Sequence, residues 1–378
     1  MPISKTSHYD VLIVGAGVNG CASAYLLSHS GLRVALIDRS GIAAGGSGAA
    51  GAFISPKFSK GGPLKEVMAQ AHAEALDFYS LNFPDHTLIR PLLHIANSPE
   101  ESEKLSAYKN STHLNHGDLP ATVREAVVTE ALENEWIYLD RGAVVDAQGV
   151  CRAMAEGIDF YRIEIHDPHF SEGTWHAGGL SGEHLILTTG AYPKLLPSDA
   201  VKLRAIWGHR IDVRTSTEIP CILHHFVSIS PTTAEGVIAI GATHDVHYTP
   251  FGSEAYDIES GRDILLDKAS KTLKLEDVEI LRDYTGLRSG THDYYPIAGA
   301  LVDEEATLKR YEETGVKPDL AHCTYYPNAW MINGSGGYGF VLAPYLAKRL
   351  CDEITGVKKI DPELSPGRFL MRLIRRQS

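Results

Sequence analysis

The chain has 378 residues, 44% of them hydrophobic, and a formal net charge of −12 from 35 Lys and Arg against 47 Asp and Glu. The length predicts a substantial core and two domains, while no apolar run is long enough to span a bilayer and the N-terminus lacks the apolar core of a secretory signal. The acidic balance disfavours general nucleic-acid binding, and five scattered cysteines without C-x-x-C spacing predict reduced thiols, no zinc site and a cytoplasmic enzyme.

A glycine-rich turn directly follows the first predicted strand. Residues 11–14 form an apolar run that is typical of a strand buried in a parallel sheet. The next residues include Gly15, Gly17 and Gly20 in G-x-G-x-x-G spacing. Gly15 permits a tight turn, Gly17 lets the backbone approach a pyrophosphate, and Gly20 lets helix and strand pack closely. The pyrophosphate is expected at the N-terminus of the following helix, next to Val18.

A second predicted strand, 33–37, ends at Asp38, which lies 18 residues after Gly20. An acid at this distance is expected to accept a hydrogen bond from a ribose 2′-OH. A glycine-rich turn that holds no nucleotide is the alternative. Because strand, glycines, helix, second strand and terminal acid occur in this order, the sequence favours a dinucleotide site.

A second segment rich in small residues, 41–51, comes directly after this strand. Small residues can pass close to a flavin ring without steric conflict, whereas the alternative is a flexible connector. Its position after Asp38 favours the cofactor interpretation. The residues predicted to contact the cofactor here are Ser47, Gly48, Ala49, Ala50 and Gly51.

The remaining elements are predicted from apolar periodicity and turn residues. Helices are predicted at 63–79, 100–109, 147–157, 258–274 and 343–354. Strands are predicted at 136–139, 185–190, 205–213, 221–230 and 236–242, and glycine-rich loops at 281–300 and from 329 to the last helix. Thr189 and Gly190, at the end of one predicted strand, are expected to lie at the sheet edge that contacts the cofactor.

The order of these motifs resembles the FAD-dependent D-amino acid oxidase and glycine oxidase superfamily. The resemblance rests on the N-terminal glycines with Asp38 and Arg39, on the small-residue loop, on GLRSGTHDYYPIAG at 286–299 and on NGSGGYGFVLAP at 333–344. Within it, the chain is most similar to the oxidoreductase half of the tRNA 5-methylaminomethyl-2-thiouridine biosynthesis proteins (MnmC type). That narrower likeness is carried by GGSGAAGAFISPKFSKGGPL and ELSPGRFLMRLIRR. The family's methyltransferase half is not found, so a stand-alone oxidoreductase is expected.

The resemblance implies an α/β fold, with a Rossmann-like FAD-binding domain and an inserted, mostly antiparallel β substrate domain. The FAD-binding domain is expected at 1–82, 141–200 and 281–378, and the substrate domain at 83–140 and 201–280. FAD is expected to be noncovalent, because Cys323 is too close to the glycine-rich loop for the covalent link of sarcosine oxidases. Further cofactor contacts are implied at Arg39, Thr189, Gly190, Arg288, Gly336, Gly337, Tyr338 and Gly339.

The resemblance also implies the chemistry, which is oxidation of the carbon–nitrogen bond of a glycine-like amine by hydride transfer to the flavin. Arg288 matches the position of a carboxylate-binding arginine; an ion pair or a flavin contact is the alternative. His209 matches a loop near the flavin edge and is the second catalytic candidate, although a core or surface histidine is equally compatible.

Three functions stay open. The first is oxidation of carboxymethylaminomethyl-uridine at the tRNA wobble position to aminomethyl-uridine. The second is an oxidase or dehydrogenase of free glycine, sarcosine or a D-amino acid, and the third is a flavin-binding protein without turnover. The partner is therefore a small-molecule amine or tRNA, and no membrane and no metal are expected.

Two other features have plainer alternatives. Residues 358–378 carry six basic and two acidic side chains, and this basic tail is either a solvated end or a surface for tRNA. His244 and His247 flank Asp245, but ordinary loop histidines are favoured over a metal site because no third ligand is in view. His224 and His225 are adjacent on a predicted strand, so they are expected on opposite faces.

Overall fold

The computed structural model describes residues 8–58, 63–192, 194–246 and 255–377. Within these ranges the strands are β1 His8–Val14, β2 Val34–Asp38, β3 Phe53–Ile54, β4 Thr87–Ile95, β5 His116–Gly117, β6 Trp136–Val145, β7 Asp159–Arg162, β8 His169–Ser171, β9 Thr174–Ala177, β10 Leu180–Leu187, β11 Leu203–Arg214, β12 Ile222–His224, β13 Ser228–Ile229, β14 Val237–Gly241, β15 Glu279–Thr291, β16 Ile297–Val302 and β17 Tyr325–Asn333. The α-helices are α1 Val18–His29, α2 Pro63–Asn82, α3 Pro99–Lys109, α4 Ala121–Ala126, α5 Ala147–Met154, α6 Ile258–Ser270, α7 Glu304–Thr314, α8 Gly339–Ile354 and α9 Arg368–Gln377.

The first of two compact units consists of Met1–Gly45, Cys151–Ala205 and Arg288–Ser378. Its sheet has the strand order β16-β17-β10-β1-β2-β7, with β9 added to β10 and β8 to β9. Strand β1 pairs in parallel with both β2 and β10. Its central position explains the continuous apolar run, because residues 11–14 are all buried and both faces of the strand are covered.

The second compact unit consists of Gly46–Val150 and Ile206–Leu287. Its sheet has the strand order β15-β11-β14-β13-β12-β4-β6-β3, with β5 added to β6. The neighbours β11 and β14, β13 and β14, and β4 and β6 are antiparallel, whereas β12 runs parallel to β4. One face of this sheet packs against α6 through Leu265 and Ala269, which belong to the same buried cluster as Ile211 and Ile240.

The predicted mixed α/β fold class is confirmed, but the compact units divide the chain at positions other than the predicted boundaries. Residues 46–82, 141–150 and 281–287 were expected with the nucleotide-binding domain and belong instead to the second unit, whereas 201–205 were expected with the substrate domain and belong to the first. The reason lies in strand pairing, because β3 follows the small-residue loop directly and pairs with β6. Helix α2 then packs against β3, β4 and β6, which keeps it in the second unit.

Several element predictions need correction. The segment predicted as glycine-rich loop at 281–300 is mostly the strands β15 and β16, and the predicted strand 221–230 is divided into β12 and β13. The last long helix begins at Gly339, four residues earlier than predicted, because Gly339 has helical backbone angles and Pro344 lies inside the helix. Among the described residues, no helix combines the length and apolar character needed to cross a membrane.

Candidate functional site

The predicted nucleotide-binding turn is built so that its first and last glycines cannot carry a side chain. Gly15 has φ +110°, and a Cβ added to it would lie 2.4 Å from the carbonyl oxygen of Thr188. A Cβ on Gly20 would lie 1.8 Å from the carbonyl oxygen of Gly15. Thr188 stabilises the turn, since its Oγ1 donates a hydrogen bond to that same oxygen at 2.7 Å. The turn from β1 into α1 therefore leaves no room for a Cβ at Gly15 or Gly20.

Asp38 lies at the end of β2, as predicted, and organises the loops around it. Its Oδ2 accepts a hydrogen bond from the amide of Ala16 at 2.9 Å, and its Oδ1 accepts from the amides of Ser40 at 2.8 Å and Gly41 at 3.0 Å. Each carboxylate oxygen can accept further bonds, so a ribose hydroxyl fits here. Arg39 is exposed and pairs with Glu164 at 3.2 Å, and its cofactor contact stays a prediction.

The N-terminus of α1 is suited to an anion. Gly17 is its N-cap, with no capping side-chain hydrogen bond and no acidic residue in the first turn, and Val18 is the first helical residue. The first turn of the helix thus carries no acidic side chain that would compete with an anion at the positive end of the helix dipole. Asn19 adds a buried Oδ1 with no hydrogen-bond partner among the residues that the structure describes, while its Nδ2 lies 3.5 Å from Ser335 Oγ. A donor from a bound dinucleotide would satisfy that oxygen.

Asn333, to which the sequence analysis assigned no role, connects three of the predicted cofactor segments. It lies at the end of β17 and is 2% exposed. Its Nδ2 donates to the carbonyl of Gly190 at 3.0 Å, and its Oδ1 accepts from Ser289 Oγ at 2.5 Å and from the amide of Gly334 at 2.8 Å. Asn333 thereby links the segment of Thr189 and Gly190 to Gly334, where the second glycine-rich turn (334–339) begins, and to Ser289, the neighbour of Arg288.

Arg288 is half-buried near the C-terminal end of β15. Two residues later, Gly290 forms an antiparallel bridge with Ser335, and Ser289 is bonded to Asn333. The strand that carries Arg288 is therefore attached to the glycine-rich turn at 334–339 in two ways. One is the backbone bridge from Gly290, and the other is the side-chain hydrogen bond from Ser289 to Asn333, the residue before that turn. This placement favours a role close to the cofactor, and carboxylate binding by Arg288 stays a prediction.

The glycine-rich turn leads from β17 into α8. A 3₁₀ turn, Gly336–Tyr338, has Gly336 at φ +56°, and α8 follows at once from Gly339. A Cβ on Gly339 would lie 3.7 Å from Val18 Cγ1, so the N-termini of α8 and α1 are neighbours. A Cβ on Gly337 would meet no atom of the described residues within 4 Å, so these residues do not require a glycine there.

The small-residue loop of the second unit is packed against the strand β15. A Cβ on Gly286 would lie 2.8 Å from Gly46 Cα and 3.0 Å from Ala49 Cβ, so this strand requires a glycine. Arg210 fixes the loop from β11, because its Nη1 donates to the carbonyl of Ala50 at 2.5 Å. The guanidinium also lies 3.8 Å from the ring centre of Tyr284. These contacts favour an ordered loop at 46–51, and cofactor contact by each of residues 47–51 stays a prediction.

His209, the second catalytic candidate, is fully buried on the α6 face of the sheet. Its Nε2 lies 2.9 Å from Asp283 Oδ1, and a Cβ added to Gly261 of α6 would lie 2.2 Å from its Nδ1. Burial lowers the pKa of His209, opposed by the hydrogen bond with Asp283. Arg262 completes the cluster through a bidentate pair with Asp283. These contacts show that His209 packs against α6, and its catalytic role stays a prediction.

The adjacent histidines His224 and His225 have separate surroundings. His224 Nδ1 lies 2.7 Å from Ser228 Oγ, and His225 Nδ1 lies 2.9 Å from Thr272 Oγ1. Burial lowers the pKa of His224 to about 3 and that of His225 to about 4. His94 is opposite His224 in the β4–β12 register, so two imidazoles share one sheet face, a pairing that the sequence did not indicate.

Metal and covalent-cofactor candidates receive no support. In the part of the chain that the structure describes, no group of three or more His, Cys, Asp and Glu side chains could hold a metal ion; His247 lies outside that part. Cys323 is a free, buried thiol whose Sγ donates to the carbonyl of Asp319 at 3.2 Å. Burial raises the pKa of Cys323 to about 11, which keeps the thiol protonated and unreactive.

Two similar curated proteins are tRNA 5-methylaminomethyl-2-thiouridine biosynthesis bifunctional proteins MnmC. The protein from Caulobacter sp. (strain K31) is 26% identical over 382 residues, which is 96% of this chain and 58% of the relative. The protein from Chromohalobacter salexigens is 24% identical over 396 residues, which is 96% of this chain and 56% of the relative. The chain thus spans slightly more than half the length of these relatives.

A crystal structure of glycine oxidase from Geobacillus kaustophilus aligns with a TM-score of 0.75 and 21% identity, over 96% of this chain and 99% of that one. This likeness confirms the predicted Rossmann-like FAD-binding architecture. The family model described as "DAO: FAD dependent oxidoreductase" matches residues 10–353. Because that match covers most of the chain and agrees with the turn at Gly15 and the acid at Asp38, the protein belongs to the DAO family of FAD-dependent oxidoreductases.

Proposed function

We propose that the protein oxidises the glycine unit of a carboxymethylaminomethyl group on the wobble uridine of tRNA and leaves aminomethyl-uridine. The observation that carries this proposal is the attachment of the Arg288 strand to the glycine-rich turn through Ser289 and Asn333. It gives a carboxylate-binding arginine a rigid position beside segments expected to hold the flavin. The names of the MnmC relatives support a modified uridine as the carrier of the amine.

The residues present fit FAD. The N-terminus of α1, with Gly15 before it and Gly17 as its N-cap, would hold the pyrophosphate, and Asp38 would hold the adenosine ribose. The glycines of the 334–339 turn would border the rest of the cofactor. When bound, FAD supplies the hydride acceptor for the carbon next to the amine. We propose that it is held without a covalent bond.

The protein's contribution to the reaction is orientation of the substrate. A planar guanidinium at Arg288 can bind both oxygens of the substrate carboxylate, which fixes the adjacent CH₂ group relative to the cofactor. Loss of a hydride from that carbon and of a proton from the nitrogen gives an imine between the nucleoside nitrogen and the carboxylate-bearing carbon. Water then hydrolyses this bond, so that glyoxylate leaves and the aminomethyl group stays on the uridine.

The direct test is nucleoside analysis of tRNA that carries carboxymethylaminomethyl-uridine, after incubation with the FAD-loaded enzyme. We expect the carboxymethylaminomethyl peak to fall while the aminomethyl peak and glyoxylate rise in equal amounts. Arg288→Gln should abolish most of this change. Arg282→Gln, on the exposed part of the same strand, is the matched control and should not. An unchanged peak with wild-type enzyme would refute the proposal.

A second candidate is oxidation of a free glycine-type amine, and the net charge of −12 is the observation that favours it, since phosphate contacts dominate tRNA affinity. Anaerobic mixing distinguishes the two functions. Rapid bleaching of the flavin by glycine or sarcosine, with none by tRNA, would support the free amine. The third possibility, flavin binding without turnover, requires that no candidate substrate bleaches the flavin and that Arg288→Ala changes no ligand affinity.

A further inference from the structure

An exposed tyrosine follows the strand that carries Arg288. Tyr294 lies in the turn between β15 and β16, is 65% exposed and has φ +61°, a left-handed conformation that is uncommon for a bulky residue. The guanidinium of Arg204 lies 4.6 Å from its ring centre, while Arg204 Nη2 donates to the carbonyl of Thr291 at 3.0 Å. The ring therefore has a cationic support and a large area open to solvent.

The same turn is anchored by the C-terminal helix α9. Asp293 accepts from Arg368 Nε at 3.0 Å and from Arg368 Nη2 at 3.2 Å, and also from Arg372 Nη1 at 2.5 Å. Arg368 Nη2 donates in addition to the carbonyl of Tyr295 at 2.7 Å. Arg368 is 8% exposed, so this is a buried, charge-assisted attachment. It fixes the position of the exposed Tyr294 relative to α9.

The outer face of α9 is strongly basic. The helix contains four arginines and no acid, and its buried residues include Met371 and Ile374, which belong to the core of the first unit. The remaining face presents Arg372, Arg375 and Arg376 to solvent. A local cluster of this kind is unusual in a chain with a net charge of −12. Charge complementarity points to a polyanion.

We propose that Tyr294 and the exposed face of α9 form a docking surface for an unpaired loop of RNA. A base next to the modified nucleotide would stack on the free face of Tyr294, and the backbone phosphates would contact Arg375 and Arg376. The combination of an aromatic platform and nearby cations is the pattern with which proteins bind single-stranded RNA. This inference rests on the proposed function, because it names how the tRNA loop is held near Arg288.

The stacking part is tested with Tyr294→Gly, which removes the ring and is compatible with the positive φ. Binding of deacylated tRNA to the FAD-loaded enzyme is measured by fluorescence anisotropy at fixed salt. Loss of one stacked base is expected to weaken binding by roughly 5- to 100-fold, while Tyr294→Phe should bind as the wild type does. Unchanged affinity of Tyr294→Gly, with normal flavin absorbance and melting temperature, would overturn the stacking role.

The phosphate part is tested by the double variant Arg375→Ala, Arg376→Ala. If both side chains contact phosphates, the slope of log K against log salt should become shallower by about 1.4. The matched control removes two exposed cations of the second unit, Arg124→Ala with Lys271→Ala, and should leave the slope unchanged. Equal slopes in all three proteins would overturn the surface. Equal weakening by both double variants would indicate nonspecific attraction and would also overturn it.

Failure of this inference is distinguishable from failure of the proposed function. If tRNA bleaches the flavin of the wild type but the two variants bind tRNA normally, the function stands and the docking surface is wrong. If tRNA neither binds to the wild type nor bleaches its flavin, both are wrong. If the affinity of the wild type for a single-stranded RNA did not fall as the salt concentration rises, the role of α9 in binding phosphates would be contradicted.

Discussion

The ion pair between Asp293 and Arg368 gives the sharpest stability prediction. Asp293 is 16% exposed and Arg368 is 8% exposed at the side chain, so both charges lie largely out of water. Burial opposes the charged form of Asp293, but the hydrogen bonds and charge of Arg368, with a contribution from Arg372, lower its pKa to about 2. Asp293→Asn would leave the guanidinium buried without its counter-charge.

The expected cost follows from this pKa. The ordinary pKa of an aspartate is about 3.9, so a folded value of about 2 corresponds to a contribution of order 2–3 kcal/mol at neutral pH. This contribution is fully present above about pH 4 and is lost as the pH falls through about 2, because the folded pKa is the lower one. Removing one partner of a buried pair costs about 3–5 kcal/mol, and Arg368 keeps backbone acceptors, so we expect about 3 kcal/mol.

The assay is urea unfolding of the FAD-loaded protein at pH 7. Asp293→Asn and Arg368→Met are measured singly and together, and the double variant should be at least about 1 kcal/mol more stable than the sum of the single effects predicts. Asp267→Asn is the control, because the Lys271–Asp267 pair is exposed on both sides and should contribute less than about 1 kcal/mol. A cost for Asp293→Asn no larger than that of the control would refute the reasoning.

Three further predictions concern the cofactor turn, a buried histidine and the substrate arginine. Gly20→Ala should abolish FAD binding, which flavin absorbance measures, since its Cβ would lie 1.8 Å from a carbonyl oxygen. Gly337→Ala has no described atom within 4 Å of its Cβ, so it should keep the wild-type flavin absorbance and the wild-type melting temperature in a thermal melt. His224→Gln should reduce the loss of stability between pH 7 and pH 5 by about 1 kcal/mol or more in urea unfolding, because the wild-type histidine is held neutral in the fold and takes up a proton only on unfolding. Arg288→Lys should lower kcat/KM for a carboxylate-bearing amine by about 10- to 100-fold and have a much smaller effect on an amine without a carboxylate.

The nucleotide-binding turn could be predicted from the sequence because its constraints are local. Gly15 and Gly20 must be glycines for steric reasons that involve β1, α1 and the end of β10, and Asp38 bonds to amides within its own loop and in the neighbouring turn. Such short-range requirements leave a spacing pattern that a reader of the sequence can recognise. The sequence therefore predicts the positions of the helix N-terminus and of the acid correctly.

Asn333 and the Asp293–Arg368 pair could not be predicted in the same way. Asn333 bonds to Gly190, which is 143 residues away, and Arg368 bonds to Asp293 over 75 residues. Contacts of this kind depend on the topology of the sheet and leave no periodic signal. The surroundings of His209 could not be predicted either, because the pairing of β11 in the sheet decides which face its side chain occupies. The neighbouring Arg210 is the residue that contacts the small-residue loop.

The net charge of the chain is a poor guide to its partner, and the structure gives the reason. A formal charge of −12 is summed over 378 residues, whereas an RNA phosphate senses charges within a Debye length of about 8 Å. Helix α9 has four arginines and no acid among its ten residues. Asp293 pairs with two of these arginines, Arg368 and Arg372. The other two, Arg375 and Arg376, are exposed to solvent. Because these local charges belong to a helix anchored beside the exposed Tyr294, the net charge of −12 does not argue against the proposed RNA-docking surface.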